Sequence, residues 1–358
     1  MWDLRTLILV AGVLVLLGVA TGVVHLLRNR EDSGLDAAIV ETFRLRVRAW
    51  WVLFSILAAA LLIPGPWATV ILFWLISFWA LREFITLTPT RPGDHRTLFW
   101  VFFLLTPLQF VLVGMGMEWY PLYSILIPVY AFLFIPARIA MAGDYKRFLE
   151  RTAKIEAGLL ICVYCLSYAP ALLTLTPAAD VETGGISQNV DPNGSGQAAN
   201  PEGSTPPASP QNEAPPTTGY SGAALLVFFV LIVQLSDALQ YIWAQIPSRH
   251  VIVPTINSTK TWEGLLGGTA SVSLIGAVLW WATPFQGRWW WMAAAMSVVI
   301  SLMGFAGSLT LSAIKRDRGV KDYGTLVEGH GGVLDRIDSL CFAAPVFFHL
   351  TRWWLLPT

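Results

Sequence analysis

Charge is scarce in this sequence: 13% of its 358 residues are Asp, Glu, Lys or Arg, about half the share of roughly 25% usual in a soluble domain. Cysteine is scarcer still. Cys162, Cys165 and Cys341 are too few to form a disulfide framework. Cys162-Val-Tyr-Cys165 has redox-pair spacing but sits in an apolar run, where packing is expected instead of chemistry. Neither sign of charge dominates, since 23 Lys+Arg balance 23 Asp+Glu. A polyanion therefore meets no global attractive field, which excludes a nucleic-acid binder. No internal repeat is apparent, which argues against an inverted-repeat transporter. Hydrophobic residues make up 55% of the chain, with 17 Trp and a mean hydropathy of +0.59. The solvent these features fit is lipid.

A membrane-spanning helix needs about 20 mostly apolar residues, and only helices and closed barrels satisfy their backbone inside a bilayer. The apolar runs here are continuous, not alternating, so the expected fold class is all-α, a polytopic membrane protein of about ten transmembrane helices. The expected spans are 7–27, 49–63, 67–81, 97–114, 119–136, 158–175, 220–244, 265–282, 289–305 and 340–356. The first is longer than the apolar core of a secretory signal and lacks a small-x-small cleavage site, so it reads as a retained span.

Alternating the spans puts 20 of the 23 basic residues on one side, leaving Arg5, Arg288 and Arg352 on the other. The positive-inside rule makes the crowded side cytoplasmic, and both termini then fall outside. Residues 176–219 contain eight prolines, five acidic residues and no Lys or Arg. Such a segment buries too little apolar surface to fold and is expected to be a disordered external loop. The expected organisation is 1–175 as N-terminal helices, 176–219 as the loop and 220–358 as a C-terminal catalytic region.

Polar residues concentrate between Ser312 and Asp338. Lys315, Arg316, Arg318 and Lys321 can neutralise phosphates, with Arg offering a two-pronged fork. Gly329, Gly331 and Gly332 let backbone amides approach a ligand. Asp322, Asp335 and Asp338 are hard oxygen ligands suited to Mg2+, and Asp335 and Asp338 share a helix face at i,i+3. A bare topogenic loop would need none of this ordered set. Asp237 lies inside a span, where a carboxylate is costly unless functional or paired. Lys260 and Glu263 fall at the head of the eighth span, where a helix N-terminus favours phosphate.

The segment Ser312-x-x-Lys315-Arg316…Lys321-Asp322-x-Gly324…His330-Gly331-Gly332-x-x-Asp335-Arg336-x-Asp338 resembles the signature of the bacterial CDP-diacylglycerol synthases, or phosphatidate cytidylyltransferases. The likeness extends through Ser236-Asp237 and Thr259–Gly264. Departures, including Glu328 where members have proline, mark a divergent member. The resemblance implies joining of CTP to phosphatidic acid, giving CDP-diacylglycerol and pyrophosphate in phospholipid biosynthesis. It implies Asp322, Asp335, Asp338 and Lys321 as catalytic residues. Substrate contacts would come from Ser236, Lys260, Glu263, Lys315, Arg316, His330, Gly331, Gly332 and Arg336. Mg2+, with room for a second cation, would sit on Asp237, Asp322, Asp335 and Asp338. It further implies an inner (plasma) membrane location with a cytoplasm-facing site, bilayer lipid as partner, and room for a homodimer. The alternatives are CTP-dependent transfer to another lipid phosphate, and a non-catalytic lipid-binding or transport protein.

Overall fold

The computed structural model describes residues 4–29, 37–87, 90–175, 221–246, 250–284, 290–324 and 331–355. Ten helical segments run through them: α1 Leu4–Asn29, α2 Ala37–Leu62, α3 Trp67–Thr86, α4 Pro92–Gly114, α5 Met117–Ala140, α6 Phe148–Thr174, α7 Gly222–Trp243, α8 Trp262–Ala282, α9 Trp290–Asp317 and α10 Leu334–Leu355. Eight are long and apolar enough to cross a membrane. The apolar part of α2 is shorter, Val47–Leu62, and α10 opens on the polar turn of Asp335, Arg336 and Asp338. The protein is an all-α polytopic membrane protein. Its sole sheet among the described residues is an antiparallel hairpin, β1 Val251–Val253 with β2 Asn257–Thr261. The segment 176–219 lies outside the described residues.

Several helices overrun their apolar cores. α6 begins at Phe148 instead of 158, α9 continues to Asp317 past 305, and α10 starts at Leu334 instead of 340. Hydropathy marks only the lipid-immersed part, whereas the backbone ladder continues wherever its hydrogen bonds are kept. Sidechain caps set two starts: Ser221 Oγ accepts from Ala223 N at 3.2 Å, and Thr261 Oγ1 from Gly264 N at 3.0 Å. α4, α5 and α6 each contain a π turn, at Val101–Leu105, Leu126–Ala131 and Leu160–Cys165. Pro128 lies inside the second and has no N–H to give, so the widened turn absorbs a break in the ladder that lipid would punish.

Helix ends meet as strict alternation requires. At one membrane face the Trp67 ring covers Gly114, where a Cβ would come within 2.6 Å, and Gly222 lies against the Leu173 carbonyl. Tyr120 meets His349 and Arg352 there too. At the other face, the end of α3 meets the start of α10, and the hairpin meets the end of α9. Lipid supplies no hydrophobic push between helices, so close packing of small residues must bring them together. A Cβ at Gly268 would lie 2.6 Å from Gln240 Cγ, binding α8 to α7, and one at Gly307 would lie 2.6 Å from the Asp338 carbonyl, binding α9 to α10. One apolar core runs from Leu9 to Phe348. Within it Phe229 stacks on Phe347 at 5.3 Å, and Tyr168 of α6 meets Phe348 at 5.0 Å.

Candidate active site

A cavity of about 240 Å3 opens beneath the hairpin, where α7 and α9 end and α8 and α10 begin. Asp237, Lys260, Lys315, Asp335, Arg336 and Asp338 all line it. These six come from four separate stretches of sequence. Lys260 is delivered by β2, one residue before the Thr261 cap of α8, while Lys315 stands on the last turn of α9. Asp335 and Asp338 project from the first turns of α10 into the same space.

The carboxylates form two pairs. Asp237 and Asp338 gather around Ser339, whose hydroxyl reaches Asp237 Oδ1 at 3.0 Å and Asp338 Oδ1 at 3.4 Å, while its N–H donates to Asp338 Oδ1 at 2.8 Å. Asp237 acts on Asp338 as a like charge, opposed by the Lys260 ammonium. That ammonium also lies 5.1 Å from the centre of the Phe305 ring, a weak cation–π contact.

Asp322 and Asp335 flank Gly331. Its φ of +76° is left-handed, and a Cβ there would lie 2.8 Å from Asp335 Oδ2 and 3.5 Å from Asp322 Oδ1. Asp335 is heavily bonded: Lys315 Nζ donates to Oδ1 at 2.8 Å, and Tyr323 N and Gly332 N each donate to Oδ2 at 2.9 Å. The expected use of Gly332's amide as a phosphate cradle therefore meets a different arrangement, because that amide is directed to Asp335. Tyr323 is buried, its hydroxyl donates to Leu311 O at 2.8 Å, and burial holds its phenol well above the ordinary range. It is a structural strut for Lys315, whose ammonium lies 5.4 Å from its ring centre.

Other expected residues lie around the cavity. Arg316 Nε donates to the Ile256 carbonyl in the hairpin turn at 3.1 Å. Glu263 receives the ring and backbone nitrogens of His250 at 2.6 and 3.1 Å. Both therefore brace the hairpin that carries Lys260. Ser236 is buried, with its hydroxyl 2.6 Å from Ser301 Oγ and 2.9 Å from Gln240 Nε2, tying α7 to α9. Lys321 and Asp322 are exposed on the α9–α10 loop. His330, Glu328 and Gly329 lie outside the described residues.

Two contributors come from the N-terminal helices. Trp50 of α2 lines the cavity. Glu83 of α3 is buried, and its carboxylate accepts Val333 N at 2.9 Å and Leu334 N at 2.8 Å. A signal for Glu83 existed, since it is the sole acidic residue of α3 and a carboxylate in a membrane helix calls for a partner.

Among the described residues no three carboxylate, thiolate or imidazole side chains enclose a cation site. The Asp237–Asp338 pair nevertheless suits Mg2+, which takes one or two carboxylates and completes its shell with water and substrate phosphates. Two like charges sharing one serine hydroxyl are stabilised by a cation between them. Such a site, with three cationic side chains beside paired carboxylates, has the charges that binding a phosphate-bearing substrate requires.

The chain belongs to the cytidylyltransferase family, whose model matches residues 44–354. It is a nucleotidyltransferase. It is 34% identical over 315 residues to YnbB, an uncharacterized protein of Escherichia coli K12, covering 86% of this chain and 87% of that one. It is also 33% identical over 129 residues to the phosphatidate cytidylyltransferase of Staphylococcus haemolyticus and 36% identical to that of Staphylococcus epidermidis. Those matches cover 36% of this chain and 49% of each staphylococcal enzyme, so the chain spans about half the length of those relatives.

Proposed function

We propose that the protein is a phosphatidate cytidylyltransferase, converting CTP and phosphatidic acid to CDP-diacylglycerol and pyrophosphate in phospholipid biosynthesis. The observation that carries this reading is the cavity at one membrane face lined by Lys260, Lys315 and Arg336 together with Asp237, Asp335 and Asp338. The named staphylococcal relatives support it over the part of the chain they match.

In this reading an oxygen of the lipid phosphate bonds to the α-phosphorus of CTP as the bond to the β-phosphate bridge breaks, and its electron pair departs with pyrophosphate. The attacking phosphate is already ionised near neutral pH, so no side chain needs to remove a proton, and catalysis rests on positioning and charge. Lys260, Lys315 and Arg336 hold the triphosphate and the lipid phosphate. Asp237 and Asp338 would hold Mg2+, which would supply charge neutralisation on the triphosphate. Asp335 orients Lys315 through their ion pair. His330 is assigned to phosphate contact, and Lys321 and Asp322 to the rim. Ten alternating spans would put 20 of the 23 basic residues on the side of the site, which by the positive-inside rule turns it to the cytoplasmic face of the plasma membrane, where CTP is dissolved and the acyl chains stay in lipid.

A second reading, CTP-dependent transfer to another lipid phosphate, is favoured by one fact: the named phosphatidate enzymes match only 36% of this chain, which leaves the rest free to shape a different lipid site. Radiolabelled CTP incubated with purified protein and phosphatidic acid, lysophosphatidic acid or a polyprenyl phosphate separates the two. Label in CDP-diacylglycerol is expected, and label carried only by another lipid would replace the first reading with the second.

A further inference from the structure

We propose that Glu83, on α3 and 252 residues before Asp335 in sequence, is a positioning residue for the active site. The role rests on the nucleotidyltransferase reading of the cavity. Glu83 is 6% exposed, and its two oxygens are spent on consecutive backbone donors, Oε1 on Val333 N and Oε2 on Leu334 N. Leu334 is the first residue of α10 and Val333 the one before it, and at such a helix start N–H groups are left unsatisfied and the dipole favours negative charge. The carboxylate also sits in a cradle without side chains. A Cβ at Gly332 would lie 2.3 Å from Oε2, and one at Gly324 2.9 Å from Oε1.

The arrangement has a consequence for the chemistry. Gly332, Val333 and Leu334 donate in turn to Asp335, Glu83 and Glu83. Two carboxylates, one from within α10 and one from outside it, thus fix the turn that carries Asp335. Asp335 in turn fixes Lys315, and the same helix carries Asp338 one turn on. Glu83 also fills the anion position at the α10 N-terminus, so the amides of Val333 and Leu334 are closed to a triphosphate. The phosphates are left to Lys260, Lys315, Arg336 and the cation.

The test is Glu83→Gln in the full-length protein purified in detergent, with turnover measured per folded molecule. One oxygen still accepts, but the new NH2 opposes the second amide. We expect turnover to fall more than tenfold with the KM for CTP changed less than threefold, and Mn2+ affinity, read by electron paramagnetic resonance without substrate, to weaken. Gly324→Ala presses a methyl onto Oε1 without changing charge, and should shift turnover and Mn2+ affinity the same way, separating position from electrostatics. It also answers the question if Glu83→Gln does not fold. Native turnover and native Mn2+ affinity in the folded variants would overturn the proposal. If the wild-type protein transfers CTP to no lipid phosphate, the reaction assignment fails, and the Mn2+ arm still decides the role of Glu83.

Discussion

The six helices up to residue 175 and the four after residue 221 share one apolar core but use their charges in opposite ways. In the first group the buried cluster around Arg151 is saturated. Arg151, 6% exposed, gives its Nε and one terminal nitrogen to Asp94, and the other terminal nitrogen to the carbonyls of Asp144 and Lys146 at 3.0 Å each. Arg91 closes the network by donating to both oxygens of Asp144, which holds that carboxyl below the usual carboxylate range. In the second group, Lys260, Lys315, Arg336 and three aspartates face a shared cavity. Charges buried among helices and bonded by protein hold those helices together, whereas at the cavity wall the same kind of bond, as between Lys315 and Asp335, also presents charge to whatever enters.

The largest effect should come from breaking the second group. Asp338→Asn keeps the size of the side chain and an oxygen for Ser339 N, but removes one charge from the Asp237–Asp338 pair. Loss of such transition-state stabilisation costs several kcal/mol, so turnover with Mg2+ should drop about a hundredfold or more. Membrane fractionation should show normal insertion. Near-native turnover would remove the cation from this pair.

The same substitution logic applied to the first group should damage stability and spare chemistry. Arg151→Ala strands Asp94, which is 1% exposed, and breaking a buried pair in this way costs about 3–5 kcal/mol. Thermal unfolding in detergent should report that loss, while the folded fraction keeps its KM for CTP. A KM shift with unchanged melting would place Arg151 in the substrate path and erase the contrast between the two groups.

These contrasts were only partly legible in the sequence. Long apolar runs specify helices because the bilayer permits little else, so the all-α polytopic class could be read directly, although eight of the ten expected spans are long and apolar enough among the described residues. The clustering of Lys315, Asp335, Arg336 and Asp338 could be read from their short separation. The hairpin could not, because strands of three and five residues carry no periodicity that stands out beside a helix. Nor could the direction of the Gly332 amide or the use of Arg316, since both depend on which partner lies nearest once α9, α10 and the hairpin have packed. Glu83 left a signal as a carboxylate inside a membrane helix, but its partners were hidden: they are backbone groups 250 and 251 residues away, and backbone amides leave no mark in a residue pattern.

Arg316 lies between the two groups in kind, a charge beside the cavity whose Nε is bonded to protein. A hydrogen bond from a charged donor is worth about 1.5–3 kcal/mol, and losing it loosens the hairpin without removing Lys260. Arg316→Ala should therefore raise the KM for CTP by about tenfold, in keeping with that magnitude, with a smaller change in turnover at saturating CTP. A fall in saturated turnover comparable to that of Asp338→Asn would show that the guanidinium meets the reacting phosphates.

The smallest effect is expected from removing residues Ala178–Thr218 and joining the ends with a short Gly/Ser linker. The described flanks make the join feasible: a Cβ on Gly222 would lie 2.5 Å from the Leu173 carbonyl, so the end of α6 and the start of α7 already touch. Shortening the connection changes closure entropy only logarithmically, by less than about 2 kcal/mol. The join is also remote from the cavity. Gly222 opens α7 and Asp237 comes fifteen residues later, which at 1.5 Å per residue is roughly 22 Å along the helix. Turnover within about twofold of the intact protein is the expected result, since the cost in closure entropy does not reach the cavity. A well-folded deletion protein with severely reduced turnover would show that the segment acts on the site, and that the two membrane faces are not as independent as the packing of α7 makes them.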